Sequence, residues 1–496
     1  MNDSQNPKRW FLGKRLSTKN LEGQLLPKTI ALPIFSSDPL SSVAYGPQEL
    51  LMILTLGGVI FFSFAPCIAA FVFLLLTVII LSYRKVIAAY PSGGGDYEVA
   101  MKNLGKKPAL VVASALLLDY VMTVAVSVAA GTDNVISAFP EIAPFRVEIA
   151  VGFILLLTVI NLRGVRESGT AFAIPTYLFL ASVFLMIGTG FYKLWNGETL
   201  AAPSAAYEVH IHDSVVGTSQ VAMILLLLRA FASGSAALTG IEAIANGVPA
   251  FRKPKIKNAQ ITMALMGVAA VSMFVGIITL ALASNVHYAE FPCEQLPDWT
   301  SCATAPQLSV MAQIASAVFG NGQFMFFVIQ AGTAAVLLLA ANTAFNGFPL
   351  LASVLAKDKF APKALMTRGD RLVYSNGMLS LMLAALGLML VFQASVTALI
   401  QLYILGVFVS FTLSQLGMIK HWTRHLREEN DIKERRTMKI SRVVNGIGFV
   451  MTGTVLIIVL ITKFTHGAWI VCVMMPALYW LMISIRKHYD KVAIEL

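Results

Sequence analysis

Charged residues and cysteines are scarce in this sequence. Asp, Glu, Lys and Arg make up only 13% of the 496 residues, against 57% hydrophobic residues. Soluble domains usually carry about twice that charged fraction, so the composition excludes a water-soluble globular protein. Of the 4 cysteines, two lie within long apolar runs and two lie in a polar loop.

Long apolar runs fill the chain instead. Residues 57–83 read GGVIFFSFAPCIAAFVFLLLTVIILSY, which is long enough to cross a hydrocarbon core of about 30 Å. The pattern predicts an all-α membrane protein with twelve transmembrane helices. The predicted spans are 29–55, 58–83, 108–138, 147–162, 171–192, 217–249, 259–284, 323–352, 377–393, 397–419, 443–462 and 467–485.

The net charge of +11 lies mostly on one side of the predicted membrane. With the N-terminus placed in the cytoplasm, all but four of the 37 Lys and Arg residues fall on the cytoplasmic side. The exceptions are Arg146, Lys193, Lys463 and Arg229, the last within a span. This is the positive-inside rule. The excess of positive charge is therefore explained by membrane topology, with both termini in the cytoplasm. It requires no nucleic-acid partner.

The spans divide into two sets of five followed by two more. Spans one and six carry small and polar residues at mid-depth, PIFSSDPLSSVAYGPQE in the first and FASGSAALTGIEAIANG in the sixth. Five spans is an odd number, so the second set enters the membrane from the opposite side. This pattern predicts a LeuT-like inverted repeat whose first helix is broken in each half, with a substrate site at the breaks.

The predicted organisation has no soluble domain, because even the longest cytoplasmic connection is a charged linker without an apolar core. In chain order it comprises a cytoplasmic N-terminal segment 1–28, a first five-helix repeat 29–192, an extracytoplasmic loop 193–216, a second five-helix repeat 217–419, a cytoplasmic linker 420–442, and helices eleven and twelve with a short cytoplasmic tail 443–496.

The two loop cysteines could pair. Cys293 and Cys302 lie in an outside loop, FPCEQLPDWTSCA, on the oxidising side of the membrane. The residues alone leave this pairing open and give it no functional role. Cys67 and Cys472 fall within predicted spans.

Three acids fall well inside the predicted bilayer: Asp38, Asp119 and Glu242. A central Asp costs about 2.5–3.5 kcal/mol on insertion scales, so such residues are functional candidates. The alternative is a salt bridge within the bundle. Only Arg229 lies within a predicted span, near its outer end, and it cannot neutralise three acids. The surplus of negative charge therefore favours a cationic substrate.

The third span supplies hard oxygen ligands around its acid. Asp119, Thr123 and Ser127 follow an i, i+4, i+8 pattern and form one polar stripe on a helix, with Tyr120 beside it. Carboxylate, hydroxyl and carbonyl oxygens suit a hard cation. No Cys or His joins the cluster, which argues against zinc or copper.

Proton exchange is a second task for a membrane carboxylate. Apolar surroundings disfavour the charged form of a carboxylic acid. Glu242 lies beside the predicted break in span six and is the candidate for proton coupling. Asp38 and Asp119 would stay charged because a cation lies between them.

Several segments resemble one family. The stretch SSDPLSSVAYG is similar to the first-helix motif of the bacterial KUP/KimA-type potassium uptake transporters. The likeness continues, in order and over nearly the whole chain, in ILSYRKVIAAYPSGGGDYEVAMKNLG, LLDYVMTVAVSVAAGTD, SALTGIEAIANGVPAF, LAANTAFNGFPLLASVLAKDKFAPKALMTRGDRLVYSNG and LYILGVFVSFTLSQLGM. The resemblance implies the amino-acid/polyamine/organocation fold in a bacterial cytoplasmic membrane. It also implies K⁺ uptake by symport with H⁺, and no cofactor beyond these transported ions.

The resemblance also implies a set of site residues. Asp38, Asp119 and Thr123 match the core of the family's K⁺ site, and the tyrosines Tyr45, Tyr120 and Tyr403 resemble gates that close over the ion from either side. The full set matched to the family's cation site is Asp38, Tyr45, Asp119, Tyr120, Thr123, Ser127, Thr239, Glu242 and Tyr403.

Two features depart from the family pattern. Pro39 stands where the KimA branch has Ala, which is expected to stiffen the break without removing an oxygen ligand. KimA-like proteins often continue into a soluble cytoplasmic domain that contributes to dimerisation and nucleotide control, whereas this sequence ends with RKHYDKVAIEL. A homodimer and regulation by a cyclic dinucleotide are therefore both left open.

Other functions fit the residues less well. A proton-coupled amino-acid permease would hold its substrate carboxylate at a Gly-rich break, and Asp38 would repel that carboxylate. An organic cation would tolerate the acids, but the small hydroxyls and tyrosines do not indicate a wide aromatic box. A membrane sensor or scaffold requires no acid at mid-bilayer. The glycines at 93–95 are followed by no lysine of a phosphate loop, so an enzyme is not predicted.

Overall fold

The protein is all-α over the residues described by a computed structural model, which are 25–93, 95–164, 169–213, 215–216, 219–369 and 372–495. Most of the predicted N-terminal segment, residues 1–24, lies outside this range. The helices are α1 Lys28–Leu56, α2 Ala65–Ala89, α3 Gly95–Asn103, α4 Lys106–Ala138, α5 Arg146–Leu162, α6 Gly169–Trp195, α7 Gln220–Gly234, α8 Glu242–Asn246, α9 Lys255–Ala283, α10 Pro292–Gln295, α11 Val310–Phe319, α12 Phe324–Lys357, α13 Ser375–Val391, α14 Val396–Glu428, α15 Ile432–Lys463 and α16 Ala468–Glu495.

Ten helical segments of the described chain are long and apolar enough to cross a membrane. Two further predicted spans correspond to α1 and α13. Helix α1 has 29 residues but is rich in polar side chains, and α13 has only 17 residues. The protein is therefore a multi-pass membrane protein, while the predicted total of twelve spans remains a prediction.

The predicted break in the first span is wrong, because α1 runs without interruption from Lys28 to Leu56 with three prolines inside it. Each proline removes one N–H donor from the helix. The exposed hydroxyl of Tyr177 donates a hydrogen bond of 2.9 Å to the carbonyl of Thr29, four residues before Pro33. A tertiary contact thus replaces a bond that the helix lacks.

The predicted break in the sixth span is confirmed. Helix α7 ends at Gly234, a 3-10 turn covers Ser235–Leu238, and α8 begins only at Glu242. Thr239 has an extended backbone, and Gly240 has a φ of +78°. Residues 235–241 therefore lie outside the α-helical hydrogen-bond pattern at the centre of this span. We call them the 235–241 break.

The core of the fold surrounds α1 and α4. Every residue of α1 from position 36 to position 56 is buried. A helix buried on all sides belongs at the centre of a bundle. Helix α1 packs against α7, α9 and α12, and α4 packs against α12 and α14. The last helix, α16, exposes Trp480 and many apolar side chains, as expected of a lipid-facing surface.

The loop cysteines are paired. Cys293 and Cys302 form a disulfide with a Cα–Cα distance of 5.3 Å, which resolves the pairing that the sequence left open. The bond closes the loop between α9 and α11. It lies at the bundle end that the sequence assigns to the outside.

Candidate functional site

Asp38 lies at the middle of α1 with its carboxylate held against the 235–241 break. The hydroxyls of Ser41 and Ser42 donate to the Asp38 main-chain carbonyl at 2.8 and 3.0 Å. Both serines bond the main chain of Asp38, and neither bonds its carboxylate. The side chain is buried, and its Oδ1 atom has no hydrogen-bond partner.

Gly240 allows the carboxylate to approach the break. A Cβ atom at this position would collide with the carboxyl group of Asp38, and its φ of +78° is one that L side chains rarely adopt. Only glycine fulfils both conditions without strain. The contact brings the first and sixth spans together at the centre of the bundle.

We expect Gly240→Ala to destabilise the protein. The left-handed backbone alone costs about 1–2 kcal/mol for a residue with a Cβ, and the collision with Asp38 adds to it. Thermal unfolding of the purified protein should show a lower midpoint. Gly188→Ala is the matched control, because Gly188 lies in α6 with open space around its Cβ position. Equal midpoints for the two variants would contradict the contact.

Three hydroxyls join α1 to the break. Ser42 Oγ lies 2.6 Å from Thr239 Oγ1 and 2.8 Å from the Tyr45 hydroxyl. Tyr45 and Thr239 lie 3.2 Å apart. All three side chains are buried. The structure therefore brings together Asp38, Tyr45 and Thr239, which the sequence selected, and adds Ser42, which it did not.

The predicted polar stripe lies on the continuous helix α4. Asp119, Thr123 and Ser127 are all buried, and the Thr123 hydroxyl lies 2.9 Å from the hydroxyl of Tyr403 on α14. Asp119 Oδ1 and Ser127 Oγ have no hydrogen-bond partner. The stripe thus places unused acceptor oxygens on the side of α4 that faces the bundle core.

Glu242, the first residue of α8, completes the set of acids. Its carboxyl group lies within hydrogen-bonding reach of Asp119, and both acids interact electrostatically with Asp38. Two carboxyl groups share a hydrogen bond only when one of them carries a proton. The pair can therefore hold a proton at the centre of the site.

No lysine or arginine neutralises this centre within the described chain. The charged neighbours that act on Asp119 and Glu242 are other acids. Arg229, the one basic residue predicted within a span, pairs instead with Glu290 at 3.3 Å. Buried carboxylates without basic partners are costly, so a cation bound among these oxygens would offset a large energetic penalty.

Tyr120 is placed differently from the rest of the predicted set. Its ring packs against Gly347 of α12, where an added Cβ would lie 2.6 Å from the ring carbon Cζ. It follows Asp119 directly and so points about 100° away from the stripe on the helix. It remains within electrostatic reach of Asp119, Glu242 and Asp38.

The path towards the disulfide end is closed. Gln48, one turn beyond the site on α1, accepts a hydrogen bond of 3.1 Å from the backbone N–H of Val310. The cavity between Tyr45 and Ser309 measures only about 10 Å³, which is room for a single water at most. A wider cavity of about 700 Å³ lies further out and is lined by Glu290 and Gln401 among others.

Sequence reasoning also missed two buried ionisable groups near this outer cavity. Glu49 and Lys463 are both fully buried and interact electrostatically. Lys463 was placed in an outside loop, but it is the last residue of α15. Its apolar neighbours in the sequence, VLITKFTHG, carried no signal that tertiary packing would cover it.

Across the described residues, no three His, Cys, Asp or Glu side chains converge in a way that could hold a metal ion. The hydroxyls of Ser42 and Thr239 lie beside Asp38, and those of Thr123 and Ser127 lie on the same helix as Asp119. Such a mixed oxygen set suits a hard cation.

Comparison with known proteins agrees with the fold and the chemistry. The chain is 40% identical over 491 residues to the potassium transporter KimA of Bacillus subtilis (strain 168), covering 99% of this chain and 75% of that protein. It is 23% identical over 374 residues to the low-affinity putrescine importer PlaP of Escherichia coli (strain K12), covering 73% of this chain and 75% of that protein. Residues 31–483 match the amino acid permease family. These matches describe transport proteins and not enzymes, and we conclude that the chain belongs to the amino acid permease family.

Proposed function

We propose that this protein imports K⁺ across a bacterial cytoplasmic membrane, coupled to H⁺ entry. The observation that carries the proposal is the cluster of buried carboxylate and hydroxyl oxygens without basic partners where α1, α4 and the 235–241 break meet. The 40% identity to a potassium transporter supports K⁺ as the ion. No cofactor is needed beyond the two transported ions.

The ion is held between α1 and α4. Asp38 and Asp119 provide the negative charge, each with one carboxylate oxygen that has no other partner. Thr123 and Thr239 provide hydroxyl oxygens, and Ser127 provides another. These groups replace the water shell that K⁺ loses when it enters the protein, which is how oxygen-lined sites conduct and select cations.

Glu242 carries the proton. Its carboxyl group lies within hydrogen-bonding reach of Asp119. The two acids together therefore hold one proton and carry a net charge of −1. A proton on Glu242 leaves Asp119 as the charged member of the pair, so Glu242 can hold the proton while Asp38 and Asp119 hold K⁺, as symport of both ions requires. Protonation of Glu242 and occupancy by K⁺ are therefore linked through Asp119.

Alternating access follows from the broken sixth span. The protein has twelve spans in two inverted repeats, 29–192 and 217–419, with the termini in the cytoplasm. The conformation described is closed at the disulfide end, where Tyr45 and Tyr403 have their hydroxyls bonded to Ser42 and Thr123. We assign these tyrosines to the outer gate. Tyr120, packed on Gly347, completes the wall behind the ion. A homodimer remains a prediction.

Growth rescue tests the proposal. A bacterium that lacks its own potassium uptake systems should grow at micromolar K⁺ when it expresses the wild-type protein. Asp38→Asn, Asp119→Asn and Glu242→Gln should each fail to rescue at equal expression. A well-expressed wild type that fails to rescue, together with saturable uptake of labelled putrescine or an amino acid, would overturn K⁺ import and favour an organic substrate.

Removal of the Ser42 hydroxyl gives a graded prediction. Ser42→Ala deletes the bonds to Tyr45 and Thr239 and one of the two to the Asp38 carbonyl. A neutral hydrogen bond contributes about 1 kcal/mol net, so we expect the KM for K⁺ to rise by about tenfold with little change in maximal rate. Ser41→Ala is the control, because Ser41 bonds only the Asp38 carbonyl among these groups. Equal KM values for both variants would contradict a role for Ser42 in the site.

A further inference from the structure

Asp96 is a further buried acid close to Glu242, in addition to those of the ion site and Glu49. Asp96 is the second residue of α3 and is only 1% exposed. The Tyr83 hydroxyl donates to its Oδ1 and Oδ2 atoms at 2.9 and 2.8 Å, and the Ser410 hydroxyl donates to Oδ2 at 2.8 Å. Ser414 lies beside it on the same helix as Ser410. The carboxyl group is thus fixed between α2 and α14.

The start of α3 lies directly against the inner part of the sixth span. A Cβ atom at Gly95 would collide with the side-chain amide of Asn246, the last residue of α8, and one at Gly93 would lie 2.6 Å from the Asn246 carbonyl. Both glycines have positive φ values, +71° for Gly93 and +49° for Gly95. The glycines at this turn therefore allow Asp96 to lie close to the short helix that carries Glu242.

Asp96 connects the ion site with the predicted cytoplasmic surface. It interacts electrostatically with Glu242 and with Asp119, and Tyr83 is within electrostatic reach of all three acids. Only four residues earlier in the chain, Ser92 is exposed. Asp96 is therefore a buried acid near Glu242, on a segment that reaches an exposed residue of the predicted cytoplasmic side within four positions.

We propose that Asp96 takes the proton from Glu242 and passes it to water on the cytoplasmic side. In this step the Glu242 carboxyl group loses one proton and becomes a carboxylate, while the Asp96 carboxylate gains that proton and becomes neutral. Asp96 then returns to a carboxylate by giving the proton to a water molecule. The total charge of the acid pair does not change during the transfer itself. The inference rests on the proposed proton-coupled K⁺ import.

A purely structural role for Asp96 makes a different prediction. As a tether, the carboxylate would hold α3 to α2 and α14 through its three hydroxyl contacts. Loss of a tether would disturb every mode of transport. Loss of a proton acceptor would disturb only the modes that release a proton inside, because the carrier loaded with both ions can still change sides and exchange K⁺.

The test compares two modes of transport in proteoliposomes that contain the full chain. Rubidium is the tracer for K⁺. For Asp96→Asn we expect equilibrium exchange within about twofold of wild type, and net uptake driven by a proton gradient lower by about tenfold or more, the scale of a lost proton-transfer group. Equal losses in exchange and net uptake, or no loss in either, would overturn the inference.

Two further variants distinguish a proton-transfer role of Asp96 from a structural role in holding α3 to α2 and α14. Ser410→Ala removes one hydroxyl contact but keeps the carboxyl group, and both modes should stay within about fivefold of wild type, since one hydrogen bond is worth only about 1 kcal/mol. Asp96→Glu keeps an acid and should restore net uptake relative to Asp96→Asn. A Ser410→Ala variant that loses net uptake alone, or an Asp96→Glu variant no better than Asp96→Asn, would contradict the relay. Wild-type protein without rubidium uptake would instead refute K⁺ import as a whole.

Discussion

Asp38→Asn is expected to lower K⁺ uptake at limiting K⁺ by about a hundredfold or more. A unit charge about 4 Å from a cation contributes about 4 kcal/mol at the effective dielectric of a protein site, and each 1.4 kcal/mol is a factor of ten in affinity. The change is isosteric and removes one buried charge whose Oδ1 atom has no partner. The measurement is the KM for rubidium uptake into cells or proteoliposomes.

Stability data distinguish loss of the ion from loss of the fold. Without K⁺, Asp38→Asn should unfold at the same temperature as wild type or higher, because it relieves repulsion among buried acids. Added K⁺ should raise the wild-type midpoint and leave that of the variant unchanged. Asp133→Asn is the matched control, since Asp133 on α4 pairs with Arg146 at 2.6 Å and should keep K⁺ uptake within about threefold, as a partly exposed ion pair is worth little. A K⁺-dependent midpoint in Asp38→Asn would contradict its role as an ion ligand.

Glu242→Gln is expected to uncouple K⁺ movement from the proton gradient. The amide cannot release or accept a proton at physiological pH, so the Asp119–Glu242 pair can no longer alternate between two states. Wild-type uptake should fall as the external pH rises from about 6 to about 8, because fewer protons are available to load the site. In Glu242→Gln the remaining uptake should not change over this range, and a proton gradient should not drive accumulation.

A surface acid provides the control for this pH profile. Glu98→Gln on α3 removes a partly exposed carboxylate that pairs with Lys102, and uptake should keep the wild-type pH dependence. If the Glu242→Gln variant still coupled uptake to the proton gradient as wild type does, the transported proton would be carried by another group. Loss of coupling in Glu98→Gln would show that the pH effect is not specific to the site.

The residues that could be identified from the sequence share one property: each is unusual for its place in an apolar span. Asp38, Asp119 and Glu242 are acids in spans, and Thr123 and Ser127 repeat at helical spacing from Asp119. The polar interruption in the sixth span likewise predicted the 235–241 break. Local sequence carries such signals because a membrane penalises each polar residue separately.

Other features depend on tertiary contacts that local sequence does not encode. Small and polar residues with Pro39 suggested a break in α1, but the helix is continuous, and the Tyr177 hydroxyl supplies the hydrogen bond to the Thr29 carbonyl that Pro33 cannot make. Ser42 could have been found, because it lies one turn after Asp38, as Thr123 does after Asp119.

Burial was also misjudged near the span ends. Asp96 follows a glycine turn and Lys463 ends a span, so both were assigned to aqueous segments, yet both are buried. A residue outside the predicted spans, or at the end of one, can still be buried in the fold where short segments pack back against the bundle.

Rubidium uptake into proteoliposomes under an imposed proton gradient tests the central claim most directly. With the acidic side outside and the membrane potential held at zero, wild-type protein should accumulate rubidium above its equilibrium level, alkalinise the outside medium in step, and lose both effects when a protonophore is added. Unlabelled K⁺ should compete, and putrescine and amino acids should not. Rubidium that only equilibrates, or a labelled organic substrate accumulated in its place, would contradict proton-coupled K⁺ import.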